Sequence, residues 1–121
     1  MDEIEKLIDV SKTQAEAFLL DAGEFYPFGN YIDKGDKVKP LLIHLENDMP
    51  KSQEVIEVLE DSFKSGLLNE YKMAAMATDV LITVKGEKLD ALQIRLFEDG
   101  KEVNEVYLKY TVNKDNVEFS A

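Results

Sequence analysis

Apolar residues recur every three or four positions in the first segment: Ile4, Leu7, Ile8, Ala15, Phe18, Leu19 and Ala22. That spacing puts them along one side of a helix over about residues 3–22, and Gly23 is the residue type that ends one. The next ten residues, Gly23 to Ile32, are aromatic, and Pro27 and Gly29 break any helix there. They predict a short strand near 25–32, a turn over Asp33-Lys34-Gly35-Asp36 and a second strand near 37–46, together a hairpin. Asn47 to Pro50 punctuate the chain, and Pro50 suits the first turn of a helix because its missing N–H is not needed there. Val55, Ile56, Leu59 and Phe63 then give a second helical stripe over about 51–65, closed by Gly66.

From there the period drops to two. Ala74, Met76, Thr78, Val80, Ile82 and Val84 alternate along one strand and are read as its core side. Leu92, Ile94 and Leu96 do so on the next, and Val106, Leu108, Tyr110 and Val112 on a third. Gly86-Glu87-Lys88 and Glu98 to Lys101 are the turns between them, and Asn113 to Asn116 lead into a last short strand with Val117 and Phe119. Connections this short force antiparallel pairing. The expected fold is α+β: two helices packed on one face of an antiparallel sheet of five or six strands, in the order α-β-β-α-β-β-β with a final β, forming one domain over residues 1–121. This order is similar to that of profilin-like and roadblock-like domains, a likeness of fold that implies no function.

The chain has 121 residues, 45% of them apolar, with 14 Lys and Arg against 25 Asp and Glu, a net charge of −11. That length suits one core, and the apolar share argues against global disorder. The absence of cysteine excludes disulfide scaffolds, thiolate metal sites, Fe–S ligation and thiol catalysis, and fits a reducing compartment, so a cytoplasmic location is expected. The start, Met-Asp-Glu-Ile-Glu-Lys, lacks the basic and then apolar pattern of a signal peptide, and no apolar run is long enough to span a membrane. A charge this negative argues against direct nucleic-acid binding and favours basic partners.

Few residues carry recognisable chemistry. His44 is the single histidine and falls in a predicted strand, where a half-buried structural role is the simpler reading; no serine sits in a Gly-x-Ser-x-Gly turn. The six glycines are scattered singly and form no phosphate-binding loop. Asp33-Lys-Gly-Asp36 and Asn113-Lys-Asp-Asn116 are oxygen-rich but lack calcium-loop spacing and suit hairpin turns. No cofactor, metal or catalytic residue is expected from these patterns, and a non-catalytic role is favoured.

The aromatic segment is the most unusual feature: Phe25, Tyr26, Phe28 and Tyr31 lie within seven residues. Such rings either seal one end of a small core or anchor a partner. The run Ala17-Phe-Leu-Leu-Asp-Ala-Gly-Glu-Phe-Tyr-Pro-Phe-Gly29 resembles a group of small uncharacterised bacterial proteins with a Phe-Leu-x3-Gly-Glu-Phe-aromatic-Pro-Phe-Gly signature. The helix near Gln53–Phe63, Asp90–Leu96, Val106–Tyr110 and Val117–Phe119 look similar too. The resemblance implies no activity, cofactor or site residue. An alternative function follows from the segment itself: a small enzyme or ligand-binding domain with a pocket where Glu24, Phe25, Tyr26, Phe28, Tyr31 and His44 converge.

Charge by segment sharpens the picture. Residues 2–24 hold seven acids against two lysines, a net of −5, and residues 46–61 hold six against one, again −5. With both helices on one sheet face, Glu5, Asp9, Glu16, Glu54, Glu57 and Asp61 would make one acidic side. That side is either a device for solubility or a surface that steers a basic partner. The leading expectation is a non-catalytic acidic protein-binding domain, in its sharpest form an immunity- or inhibitor-like protein. The other sheet face, with Ala75, Ala77, Asp79, Leu81, Gln93, Arg95, Phe97, Glu105 and Tyr107, is expected to be open and offers a homodimer surface, with Arg95 pairing Glu105 or a partner's carboxylate.

Overall fold

A computed structural model describes residues 2–41, 51–64 and 71–121. The elements run α1 (Glu3–Ala22), β1 (Phe28–Asp33), β2 (Val38–Pro40), α2 (Ser52–Lys64), β3 (Tyr71–Val84), β4 (Glu87–Glu98), β5 (Lys101–Val112) and β6 (Val117–Ser120). The fold is α+β and the order is the one the periodicities predict. The expected second strand reaches only Pro40 among the described residues, and its His44 and Glu46 lie outside them. So does Gly66.

Local chemistry sets the ends of α1. The Asp2 carboxylate accepts from the Glu5 N–H at 2.8 Å, a side-chain cap on an otherwise unpaired helix donor. At the other end Gly23 adopts φ 77° and donates its N–H to the Leu19 carbonyl, a left-handed cap. The buried stripe is Leu7, Ser11, Ala15 and Leu19, one residue per turn.

The six strands form one antiparallel sheet in the order β2-β1-β3-β4-β5-β6. Its two faces bury two separate clusters. On one, Leu7 and Ala15 of α1 pack with Ile32, Met73, Ala75, Ala77, Leu92, Ile94 and Leu96. On the other, Val55, Leu59 and Phe63 of α2 pack with Tyr71, Ala74, Met76 and Phe97. Successive residues of a strand point to opposite faces. The helices therefore lie on opposite sides of the sheet, not together on one side.

Register corrects the core assignment as well. Leu92, Ile94 and Leu96 stand beside Asp79, Ala77 and Ala75, so the odd-numbered side of β3 joins the α1 core. Phe97 and Arg95, expected on an open face, stand beside Ala74 and Met76 on the α2 side. The physical reason is that β3 is covered twice. From Met73 to Thr78 every residue is buried, which an alternating pattern does not anticipate. Close approach of α2 depends on Gly29, where a Cβ would come within 2.9 Å of Phe63 Cζ and 3.3 Å of Leu59 Cδ2.

The far end of α2 is clamped by Tyr71. Its buried hydroxyl donates to the Phe63 carbonyl at 2.7 Å and accepts from the Gly100 N–H at 3.1 Å. One phenol thus satisfies a terminal helix carbonyl and ties it to the β4–β5 turn. The turn after β1 is built by Asp33, whose carboxylate accepts from the Gly35 and Lys37 N–H groups and pairs with Lys39 at 2.9 Å. Asp36 pairs with Lys72.

Candidate recognition cleft

Beyond the Gly23 cap the chain runs through Glu24, Phe25, Tyr26 and the buried Pro27 into β1. The turn folds the aromatic segment back on the last turns of α1. Phe18, Phe25 and Phe28 form a three-ring cluster with centroids 5.5–6.5 Å apart. Phe25 and Phe28 are half-buried and pack against the α1 core, closing that end of it, while Phe18 stays outside. The cluster forms the wall of a cavity of about 490 Å³ lined by Phe18, Glu24, Phe25, Tyr26, Phe28 and Ser52, among others. Phe18 stays 45% exposed and Tyr26 56% exposed, so rings that could have been buried face water. Ligand sites are mostly apolar hollows of roughly 300–1,000 Å³ with a few polar groups, and this one has those proportions.

The cleft is electronegative at its rim. Glu24 lines it, Asp21 is in the last turn of α1, and that turn holds no basic residue. The carbonyl end of a helix is the negative end of its dipole, which adds to the same sign. Behind the wall, the Asp79 carboxylate accepts from Tyr110 Oη at 2.7 Å, and the Phe25 N–H is near enough to favour its charge slightly. Burial raises the Asp79 pKa above its ordinary value, against the lowering effect of the Tyr110 hydrogen bond, and the nearby Asp90 and Glu24 carboxylates raise it further. Burial and Asp79 together push the Tyr110 hydroxyl up.

Asp79 therefore holds Tyr110 of β5 at an electrostatic cost. A carboxyl whose folded pKa lies above its unfolded one destabilises the fold when ionised, and the cost is relieved as pH falls through the folded value. Asp79→Asn keeps an acceptor for Tyr110 and removes the charge. The variant is expected to melt above the wild type at pH 7, and the gap should close on acidification. Thermal unfolding across pH 4–7 measures this; a variant less stable than wild type at pH 7 contradicts it.

The expected site residues separate. Glu24, Phe25, Tyr26 and Phe28 come together at the cleft. Tyr31 does not: it packs on the α2 side of the sheet. His44 lies outside the described residues. Glu5 and Asp9 are exposed on α1 and Glu54, Glu57 and Asp61 on α2, so these acids flank opposite sheet faces and do not make one acidic side. Glu16 accepts from the Val117 N–H at 2.9 Å and serves to hold β6. Arg95 pairs with Glu60 and Glu102, each at 2.7 Å, rather than with Glu105. Glu105 is held by Gln93 and Tyr107.

Phe18 and Ser52 line the site and are not singled out by the sequence pattern. For Phe18 a signal exists: Phe18-Leu19-Leu20 is too wide an apolar run for one stripe of a helix, and Leu20 is also exposed. Among the described residues no group of three or more His, Asp or Glu is placed to hold a metal ion. None of their helices is long and apolar enough to cross a membrane. No family model, curated protein or solved structure matches the chain.

Proposed function

We propose that this is a non-catalytic protein-binding domain whose recognition site is the aromatic cleft at the carboxyl end of α1. The observation that carries the reading is the pair of exposed rings, Phe18 and Tyr26, beside the half-buried Phe25 and Phe28 in a cavity of about 490 Å³. Aromatic side chains offer large contact area at small entropic loss and dominate binding energy where they are found at interfaces. The net charge of −11 selects for a partner with a basic surface and speeds its arrival. The acids of α1 and α2 contribute to that long-range field from both sides, and the cleft supplies the contact. An immunity- or inhibitor-like role is the sharper form of the same reading and draws its support from the charge alone.

The homodimer alternative loses support. α2 occupies part of the face it required, and Gln93, Glu105 and Tyr107, which share that face, are bonded to one another. The small-enzyme alternative has the cavity in its favour; among the described residues its polar lining comes from Glu24, Tyr26 and Ser52, and Tyr31 is not part of it.

The test uses a fluorescent, amidated peptide of alternating leucine and arginine. Phe18→Ser and Tyr26→Ser are each expected to weaken binding about fivefold or more, the scale of a hot-spot residue. Glu5→Lys with Asp9→Lys should weaken it about twofold at physiological salt, where exposed charges are screened. A larger loss from the helix variant than from the cleft variants rejects the reading.

A further inference from the structure

The cleft combines two demands that one natural side chain meets. Its walls are aromatic, so an occupant must present carbon. Its rim carries a carboxylate: Glu24 lines it, and Asp21 stands in the adjacent last turn of α1. Among the described residues, Lys51 is the only cation next in sequence to a lining residue. A neutral apolar group would satisfy the walls alone, and a small cation the rim alone. A flat cation on an alkyl stem satisfies both, because a guanidinium stacks on ring faces and pairs with carboxylates in its own plane.

The chain itself builds this arrangement once. Arg95 lies over the Phe97 ring, 5.5 Å from its centroid, while its nitrogens reach Glu60 and Glu102. At the cleft the rings and the carboxylate are present without an arginine of the chain to fill them, since Arg95 is the only one it has. We infer that the cleft seats an arginine side chain of the partner protein, its stem against Phe18, Phe25 and Phe28 and its guanidinium at Glu24. This rests on the cleft being the recognition site.

Three acetylated, amidated tripeptides test it by amide chemical-shift titration of the whole chain: alanine on both sides of arginine, of citrulline, or of norleucine. Citrulline keeps the shape and loses the charge; norleucine keeps the stem alone. The arginine peptide is expected to bind about tenfold more tightly than the citrulline one, the combined scale of an exposed ion pair and a cation–π contact. In Glu24→Gln, an exposed position, the advantage should fall to about twofold. Equal binding of arginine and citrulline, or tighter binding of norleucine, overturns the arginine assignment and leaves the cleft as an apolar site. Absence of shifts at residues 18–28 with all three overturns both the assignment and the site.

Discussion

Replacing Phe63 with alanine is expected to destabilise the fold by about 3–5 kcal/mol, the scale for deleting a fully buried aromatic ring. Phe63 is 1% exposed and is the central contact between α2 and the sheet. Its ring lies 5.2 Å from Phe97 and 6.1 Å from Tyr71, centroid to centroid, and its tip rests over Gly29. None of these partners is free to collapse into the space. Phe97 is held in the middle of β4, Tyr71 is fixed by two hydrogen bonds, and Gly29 has no side chain to move. Phe63→Leu should recover part of the loss because it fills most of the hollow. Urea unfolding reads both variants as shifts of the midpoint with little change in slope. A loss below about 1 kcal/mol for the alanine variant would mean that α2 is not packed on this face.

Arg95→Met is the second large effect, at about 2–3 kcal/mol. The Arg95 side chain is 17% exposed and holds Glu60 of α2 and Glu102 of β5 apart while pairing with each. Methionine fills the stem and leaves two half-buried carboxylates facing the same gap without their cation. Removing one partner of a buried pair typically costs more than this; both acids keep some contact with water, which lowers the figure. The effect depends on pH in a stated direction. The Arg95 hydrogen bond holds the Glu60 pKa below its ordinary 4.5, so its contribution is complete above 4.5 and lost as pH falls through the depressed folded value. Wild type and Arg95→Met should therefore differ most near neutrality and converge in acid. A constant difference from pH 7 to pH 3 would show that the lost packing over Phe97, not charge, explains the result.

The sequence made the elements legible and their layering illegible, for reasons visible in particular residues. α1 is written twice, in its apolar spacing and in the Asp2 and Gly23 caps. The strands after Tyr71 are written in alternation and turn chemistry. Which face α2 covers is written in neither, because the alternation of a strand says only that one side is buried. The clue was the unbroken run Met73-Ala-Ala-Met-Ala77, whose small side chains on both faces admit a helix from each side. Arg95 misled for a related reason. An arginine on a strand reads as an open-face residue, and only the placement of α2 supplies the half-buried Glu60 that explains it.

At the site, composition showed the aromatics and not their arrangement. Phe25, Tyr26 and Phe28 stand out as a group, whereas Phe18 is hidden among the apolar residues of α1 and Ser52 at the start of α2. Tyr31 illustrates the limit: three residues after Phe28, it points through the opposite side of the sheet. The acids of the helices misled most. Their number was plain, but a coherent acidic side required both helices on one face, and that face carries only α1.

The measurement closest to the central claim is the footprint of the leucine–arginine peptide on the isotopically labelled chain. Amide shifts should concentrate at residues 18–28 and at Ser52, with the outer surfaces of α1 before Ala15 and of α2 after Gln53 little changed. Shifts spread along those outer helical surfaces, with the aromatic segment silent, would place recognition on the charges and contradict the account.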